Sequence, residues 1–482
     1  MKNAKILAMI VSIFCLIPAA HSTVQSIINA ACPAPNTVPG VATLSPAGNY
    51  SVSGTVTLPS NCALILNNST ITWTGSSSGD LISSTKTSNS RIEGPGTLDN
   101  SEASGSPQSH TIEFFGVNNS SVTDLTITGS AQACLVLWGV SNMRVRNVSC
   151  SNYSHARGAK SPGFNIYNGD GRNVPTSTVS ADVQVDGIVC DENPNGGGAC
   201  LFADGNNRHS CAAPCSQANL RIKVSGTNVI YAEDDGVEFD HTIGSISQTH
   251  CGANAVHHQC VLIRQSSQDV VSGTTCEAGN VYCVEVARFL STDDLVDNIV
   301  VSGTAANGTT KEGILVSNAP SGSMTNIVID RASIEGSMTS DGVRFAAPGP
   351  SSTFRHFVLN GVVSRNNQKS GILLRYAQDV RVSASEGSDN GQGNTIPCGG
   401  TIQQNYTSAL YISNSSDVVV TGFRGFDDQA MMTQCFGLTV DATSSRVTVR
   451  ESDLRNDRER SGIGVHDAGR NDSISYRSSP KF

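Results

Sequence analysis

Five acidic side chains crowd into one eleven-residue stretch, Tyr231 to His241: Glu233, Asp234, Asp235, Glu238 and Asp240, with His241 at its end. Crowded carboxylates repel, so their proton affinities separate, leaving one group protonated beside another that is charged. An acid beside a base is what cleavage of a glycosidic bond requires. The centre, Asp234-Asp235-Gly236-Val237-Glu238-Phe239, reads as two carboxylates at a corner followed by a short alternating strand. A solvated acidic turn ending at Gly236 is the simpler reading of the same residues. The neighbouring segments decide between the two.

Those segments repeat. A small residue followed by alternating apolar positions recurs at Cys134, Gly163, Cys200, Gly236, Cys260, Cys283, Gly313, Gly342, Gly371, Ala409, Gly437 and Gly462. The steps from Gly236 to Cys260 to Cys283 are 24 and 23 residues; those from Gly163 to Cys200 to Gly236 are 37 and 36, which implies loops inserted there. A second strand follows most copies, as in Ala218–Val224, Asn298–Val301, Asn326–Ile329 and Asp417–Val420. Many irregular coils of two or three short strands indicate an all-β, single-domain, right-handed parallel β-helix. One coil cannot bury its apolar face alone; stacking gives a continuous core. A β-sandwich would not need some twelve copies of one strand.

Stacking predicts where the acidic groups meet. Equivalent residues of successive coils lie about 4.8 Å apart, and side chains alternate inward and outward. With the small residue as position zero, positions one and three point in, and positions two and four point out. Glu238 and Asp240 are then outward, Asp204 occupies position four one coil earlier, and Arg264 occupies it one coil later. Glu285 takes position two a coil further on, and Arg288 ends that strand. His257 and His258 form the corner equivalent to Asp234 and Asp235. The expected catalytic set is Asp234, Asp235, Glu238, Asp240 and His258, with Asp204, His257, Arg264, Glu285 and Arg288 binding substrate. Against this, Asp240 over Arg264 also reads as a surface ion pair worth little. His257 and His258 also read as a loop cap, and Glu285 and Arg288 as solvated charges.

The ends and the composition set the class. Lys2 and Lys5, the apolar run Ile6–Ile17 and the small residues after Pro18 read as a secretory signal over residues 1–22, too short to span a bilayer. Residues 23–60, with a short amphipathic helix at Val24–Ala31, read as an N-terminal cap, 61–472 as the β-helix and 473–482 as a tail. Removing Cys15 with the signal leaves an even number of the fifteen cysteines, which in an exported chain suggests disulfides. Close pairs are Cys32/Cys62, Cys134/Cys150, Cys211/Cys215, Cys251/Cys260 and Cys276/Cys283. No pair of CxxC motifs suggests a zinc site. A net charge of −9 without a basic run argues against nucleic acid as a partner. Charged residues are 15 % of the chain, and Gly, Ser, Thr and Asn fill the gap, as turns between short strands require. Aromatic residues are only 5 %, so few platforms are expected for stacking sugar rings.

Several segments resemble the pectinase-type β-helix proteins, above all the polygalacturonase family of glycoside hydrolases. They are Pro46-Ala47-Gly48-Asn49-Tyr50, Gly54 to Asn61, and Ile92-Glu93-Gly94-Pro95-Gly96-Thr97-Leu98-Asp99. Asp234-Asp235-Gly236 is similar to that family's D-D coil, and the resemblance implies that Asp235 or Asp234 is the general acid or base. The chain departs from the family pattern elsewhere. Ala199 and Pro162 stand where an N-T-D aspartate is sought, His257-His258-Gln259 is out of register with the G-H-G coil, and Arg221-Ile222-Lys223 precedes the D-D coil instead of following it. The combined expectation is a secreted monomer that hydrolyses an acidic, pectin-like cell-wall polysaccharide with no metal or cofactor. Two alternatives are a lyase or epimerase acting on uronates with Ca²⁺, and a non-enzymatic carbohydrate-binding solenoid.

Overall fold

An alternating strand with one apolar face is stable only when the next coil covers its edge and its inward side chains. The computed structural model meets this condition throughout. It describes residues 23–477 except 35–36, 76–78, 102–108, 156–159, 176–177, 206–219, 290–295, 393–406, 430–432 and 455–464. The expected signal segment, the Cys211/Cys215 pair and residues 478–482 lie outside the described residues.

Two sheets run the length of the molecule, one of 27 strands and one of 15, and every strand pairing among the described residues is parallel. The 15-stranded sheet takes one strand from each coil. Its register follows the predicted frame: Phe164, Leu201, Val237, Val261, Val284 and Ile314 stack in one row, and Ile166, Ala203, Phe239, Ile263, Val286 and Val316 in another. All of these point into a single core and are buried. The expected parallel β-helix is therefore the observed fold.

The larger sheet holds the other two sides of each coil. Its strands Leu220–Ser225 and Asn228–Tyr231 are separated by a sharp bend at Gly226, whose φ of 64° is open to glycine at little cost. Gly187 makes the same bend one coil earlier, with φ 66°.

The ends differ in part from expectation. The helix Val24–Ala31 forms as predicted, capped by the Thr23 hydroxyl, which accepts from the Ser26 N–H at 3.2 Å. It buries Val24 and Ile28 against the first coil. The Gln25 side chain accepts from the Thr57 N–H at 2.7 Å and donates to the Thr57 carbonyl at 3.2 Å. Thr57 lies on the first strand of the 15-stranded sheet, so the helix satisfies backbone groups that would otherwise form an open edge. The larger sheet already begins within the segment expected as a cap, because Gly40–Thr43 pairs with Cys62–Ile65. At the other end, Ser473–Arg477 is no frayed tail: it forms a strand on Thr448–Leu454, whose pairing groups would otherwise be unmet.

Disulfides join Cys32–Cys62, Cys134–Cys150, Cys190–Cys200, Cys251–Cys260 and Cys276–Cys283. Four of these are close pairs noted in the sequence; Cys190–Cys200 was not among them. The Cys251–Cys260 bridge closes the turn that carries His257 and His258. No helix among the described residues is long and apolar enough to cross a membrane.

The interior makes stability depend on pH. Burial raises Glu113 to about 9, Glu192 and Asp341 to about 7, and Asp269 to about 6. Each keeps its proton in the fold at pH values where the unfolded chain has released it. The stability they contribute is full below the ordinary carboxyl range and is lost as pH rises through about 6 to 9. Asp240 and Asp441 are shifted down and act oppositely, losing their contribution only in strong acid. The thermal midpoint is therefore expected to be higher near pH 5 than near pH 9. Equal midpoints at the two pH values would show that these carboxyls titrate normally.

Candidate active site

The corner Glu233-Asp234-Asp235-Gly236 leads into the strand Val237–Asp240. Gly236 is required there: a Cβ at this position would lie 2.4 Å from the Cys260 carbonyl oxygen of the next coil. That close approach brings the corners of the two coils together. The His258 N–H donates to the Asp234 carbonyl, and the Gln259 N–H donates to the Asp235 carboxyl at 2.9 Å.

The two adjacent aspartates sit in opposite environments. Asp235 is 3 % exposed, and burial, reinforced by Glu238 and Asp234, pushes its carboxyl well above the ordinary range. Asp234 has a side chain 39 % exposed and meets the His258 Nδ1 at 2.5 Å. One is a buried carboxyl in a pocket; the other is a partly exposed group at its mouth.

Glu238 and Asp240 point outward from the same strand, as the alternation predicts. Arg264, directly across in register from Asp240, joins them: its guanidinium lies 2.8 Å from Glu238 and 2.6 Å from Asp240. Asp240 also meets the His241 Nδ1 at 2.8 Å. Burial opposes ionisation of Asp240, but His241 and Arg264 prevail and hold its carboxyl below the ordinary range. The reading of Asp240–Arg264 as a surface pair is thereby corrected, because Asp240 and Arg264 are both buried.

An open cleft of about 500 Å³ lies over this strand. Among its walls are Asp234, Asp235, Glu238, His258 and Arg264, so five of the ten expected residues meet there. The other five do not line it. Asp204 and Asp240 are completely or almost completely buried beneath the surface, where Asp240 fixes Arg264. His257 turns to Glu233, 3.2 Å away, and packs edge-on against Tyr231. Glu285 is buried and accepts from Ser317 at 2.7 Å and from the Gln259 side chain. Glu285 thus holds the residue whose N–H binds Asp235. Arg288 donates to the Ser321 carbonyl at 2.5 Å, so it supports a loop and is not solvated as the simpler reading had it.

The cleft also contains Gln259, noted in the sequence only beside His257 and His258, and Lys160, Tyr167, Phe202 and Phe289, none of which sequence reasoning singled out. For Tyr167 and Phe202 the signal was present, since they occupy positions four and two in the copies at Gly163 and Cys200. Lys160 and Phe289 come from connections between strands, where no register applies.

Among the described residues, two groups bring candidate ligand atoms within 4.8 Å of one another: Asp204–Asp240–His241 and Asp234–Asp235–His258. Neither suits Ca²⁺, which takes six to eight oxygen ligands. In the first, the Arg264 cation already occupies Asp240; in the second, one of the three donors is nitrogen.

No family model matches the sequence, and no curated protein matches it. Among solved structures, the chain is similar to the tailspike protein of E. coli bacteriophage HK620 in complex with a pentasaccharide, with TM-score 0.51, 13 % identity and coverage of 94 % of this chain and 76 % of that one. The A-module of the Azotobacter vinelandii mannuronan C-5 epimerase AlgE4 gives TM-score 0.45 at 13 % identity, covering 94 % of each chain. The polygalacturonase from Erwinia carotovora ssp. carotovora gives 0.42 at 15 % identity, covering 71 % of this chain and 90 % of that one. At such identities the likeness is one of fold: a parallel β-helix.

Proposed function

We propose that this protein is an exported glycoside hydrolase that binds a polysaccharide across the cleft and cleaves it by carboxylate acid/base catalysis. One observation carries the reading: Asp235, a carboxyl that burial pushes well above the ordinary range, shares a cleft with Glu238, a carboxyl ion-paired to Arg264. Asp235 gives its proton to the glycosidic oxygen as the bond to the anomeric carbon breaks. Water adds to that carbon, and its proton passes to the carboxylate that Asp235 has become, which restores the acid. Glu238 opposes the positive charge that develops on the sugar ring, and Arg264 fixes its position. Asp240 and Glu285 act indirectly, as positioning residues for Arg264 and Gln259. Lys160 and Arg264 are the cationic groups a uronate would meet, which supports an acidic, pectin-like substrate. The disulfides fit an oxidising, extracellular setting.

The Asp234–His258 contact favours a second reading, because this pair at the mouth of the cleft could remove a C5 proton from a uronate. Products separate the two. Purified protein acting on pectic and other acidic polysaccharides is expected to release reducing ends without new ultraviolet absorbance. An absorbing, unsaturated product would replace hydrolysis with elimination. No product from any polysaccharide would leave a binding solenoid.

A further inference from the structure

The outward row that carries Asp204, Asp240 and Arg264 continues toward the amino-terminal coils as Tyr167, Trp138 and Phe115, each in register with the next. Phe115 and Trp138 are stacked with an interplanar angle of 4°; the Trp138 and Tyr167 ring centroids are 4.6 Å apart; Phe202 meets Tyr167 edge-on at 5.9 Å. Phe115, Trp138 and Phe202 are all partly exposed. Tyr167 and Phe202 line the same cleft as Asp235 and Glu238, so the aromatic row opens directly into the proposed reaction centre.

The polar tips of these rings are turned back onto the sheet. The Trp138 indole N–H donates to Glu113 at 2.9 Å, and the Tyr167 hydroxyl donates to Asn165 at 2.9 Å. Phe115, Trp138 and Phe202 keep part of their apolar ring surface exposed, and such surface packs against the C–H groups of a sugar. The strands Ile112–Phe115, Leu135–Trp138, Phe164–Tyr167 and Leu201–Asp204 contain no Lys or Arg. A uronate placed over them would lose hydration without gaining a counter-charge from these strands.

Building on the hydrolase reading, we infer that Phe115, Trp138, Tyr167 and Phe202 form a track of subsites for neutral sugar units, running from the cleft along the axis of the β-helix. The substrate is then a heteropolysaccharide with neutral residues on that side of the cleaved bond, and not a homopolymer of uronates.

Trp138 makes the inference readable. The chain has two tryptophans, and the other, Trp73, is 1 % exposed and lies in the core. A change in tryptophan emission on adding a glycan therefore reports on Trp138. The experiment titrates Asp235→Asn protein with neutral xylo-, gluco- and galacto-oligosaccharides and, separately, with oligogalacturonates. At least one neutral series is expected to shift the emission saturably. Trp138→Ala is expected to raise KM of the otherwise wild-type protein for long chains about tenfold, the effect of losing one aromatic contact. Trp138→Phe keeps a ring and guards against misfolding; it is expected to recover most of the loss. Cleavage with silent emission and unmoved KM overturns the track and leaves the hydrolase reading standing. An emission response without any product does the reverse. A response to oligogalacturonates alone overturns the neutral-sugar assignment, and silence with no cleavage overturns both.

Discussion

Asp235→Asn is expected to lower hydrolysis by two to four orders of magnitude, about what a positioned general acid contributes, while leaving the fold intact. Asn has the same shape, and its carbonyl oxygen still accepts from the Gln259 N–H that binds Asp235 at 2.9 Å. Burial, Glu238 and Asp234 push the carboxyl well above the ordinary range, toward the uncharged form whose shape and charge Asn shares. Only the transferable proton is lost. The thermal midpoint should hold or rise, most of all at alkaline pH, where the native acid is driven toward ionisation against its surroundings. The wild-type rate should fall only at pH values above the ordinary carboxyl range. Turnover measured with thermal melts on the same preparations checks this. An active, normally folded Asp235→Asn protein would mean that another group donates the proton.

Arg264→Ala should give the largest loss of stability of any single change at the site. The guanidinium is buried and serves Glu238 at 2.8 Å and Asp240 at 2.6 Å. Its removal takes away the cation that two buried carboxyls share and leaves Asp240 with His241 at 2.8 Å. Breaking a buried pair in this way typically costs about 3–5 kcal/mol, against under about 1 kcal/mol for an exposed one. Urea denaturation at neutral pH distinguishes these outcomes. Adding Asp240→Asn to Arg264→Met should recover part of the loss, because one stranded charge disappears. A loss below about 1 kcal/mol would show that water reaches the triad and screens it.

Much of this site was legible because a stack converts sequence position into spatial position. Once the small residue of each copy is set at zero, Arg264 falls over Asp240 and Glu238 beside Asp235, as observed. The same rule placed Tyr167 and Trp138 at position four of their copies. Their outward positions carry no charge, and an average of 5 % aromatics conceals a local row of three with Phe202 beside it. Glu285 and Asp204 were placed in the right rows, yet alternation gives only a side of the sheet, not depth. Both are buried in the fold, and burial cannot be derived from register. Lys160 and Phe289 reach the cleft from segments between strands, where chain length alone decides what folds over. The D-D corner was readable as chemistry, whereas the opposed environments of its two aspartates depend on packing from the next coil.

The strand Gln259–Arg264 is the eighth of the fifteen in its sheet. A molecule held by neighbour-to-neighbour contacts melts like a linear polymer, with opening most frequent at its two ends. Each coil lost there shortens the rod without disturbing the coils further in. The acid and its ion-paired companion, at the midpoint, are the last elements reached by fraying from either direction. Amide protons at the Asp235–Gln259 junction should accordingly be among the slowest to exchange with solvent, and a chain worn at both tips would still hold its cleft in register.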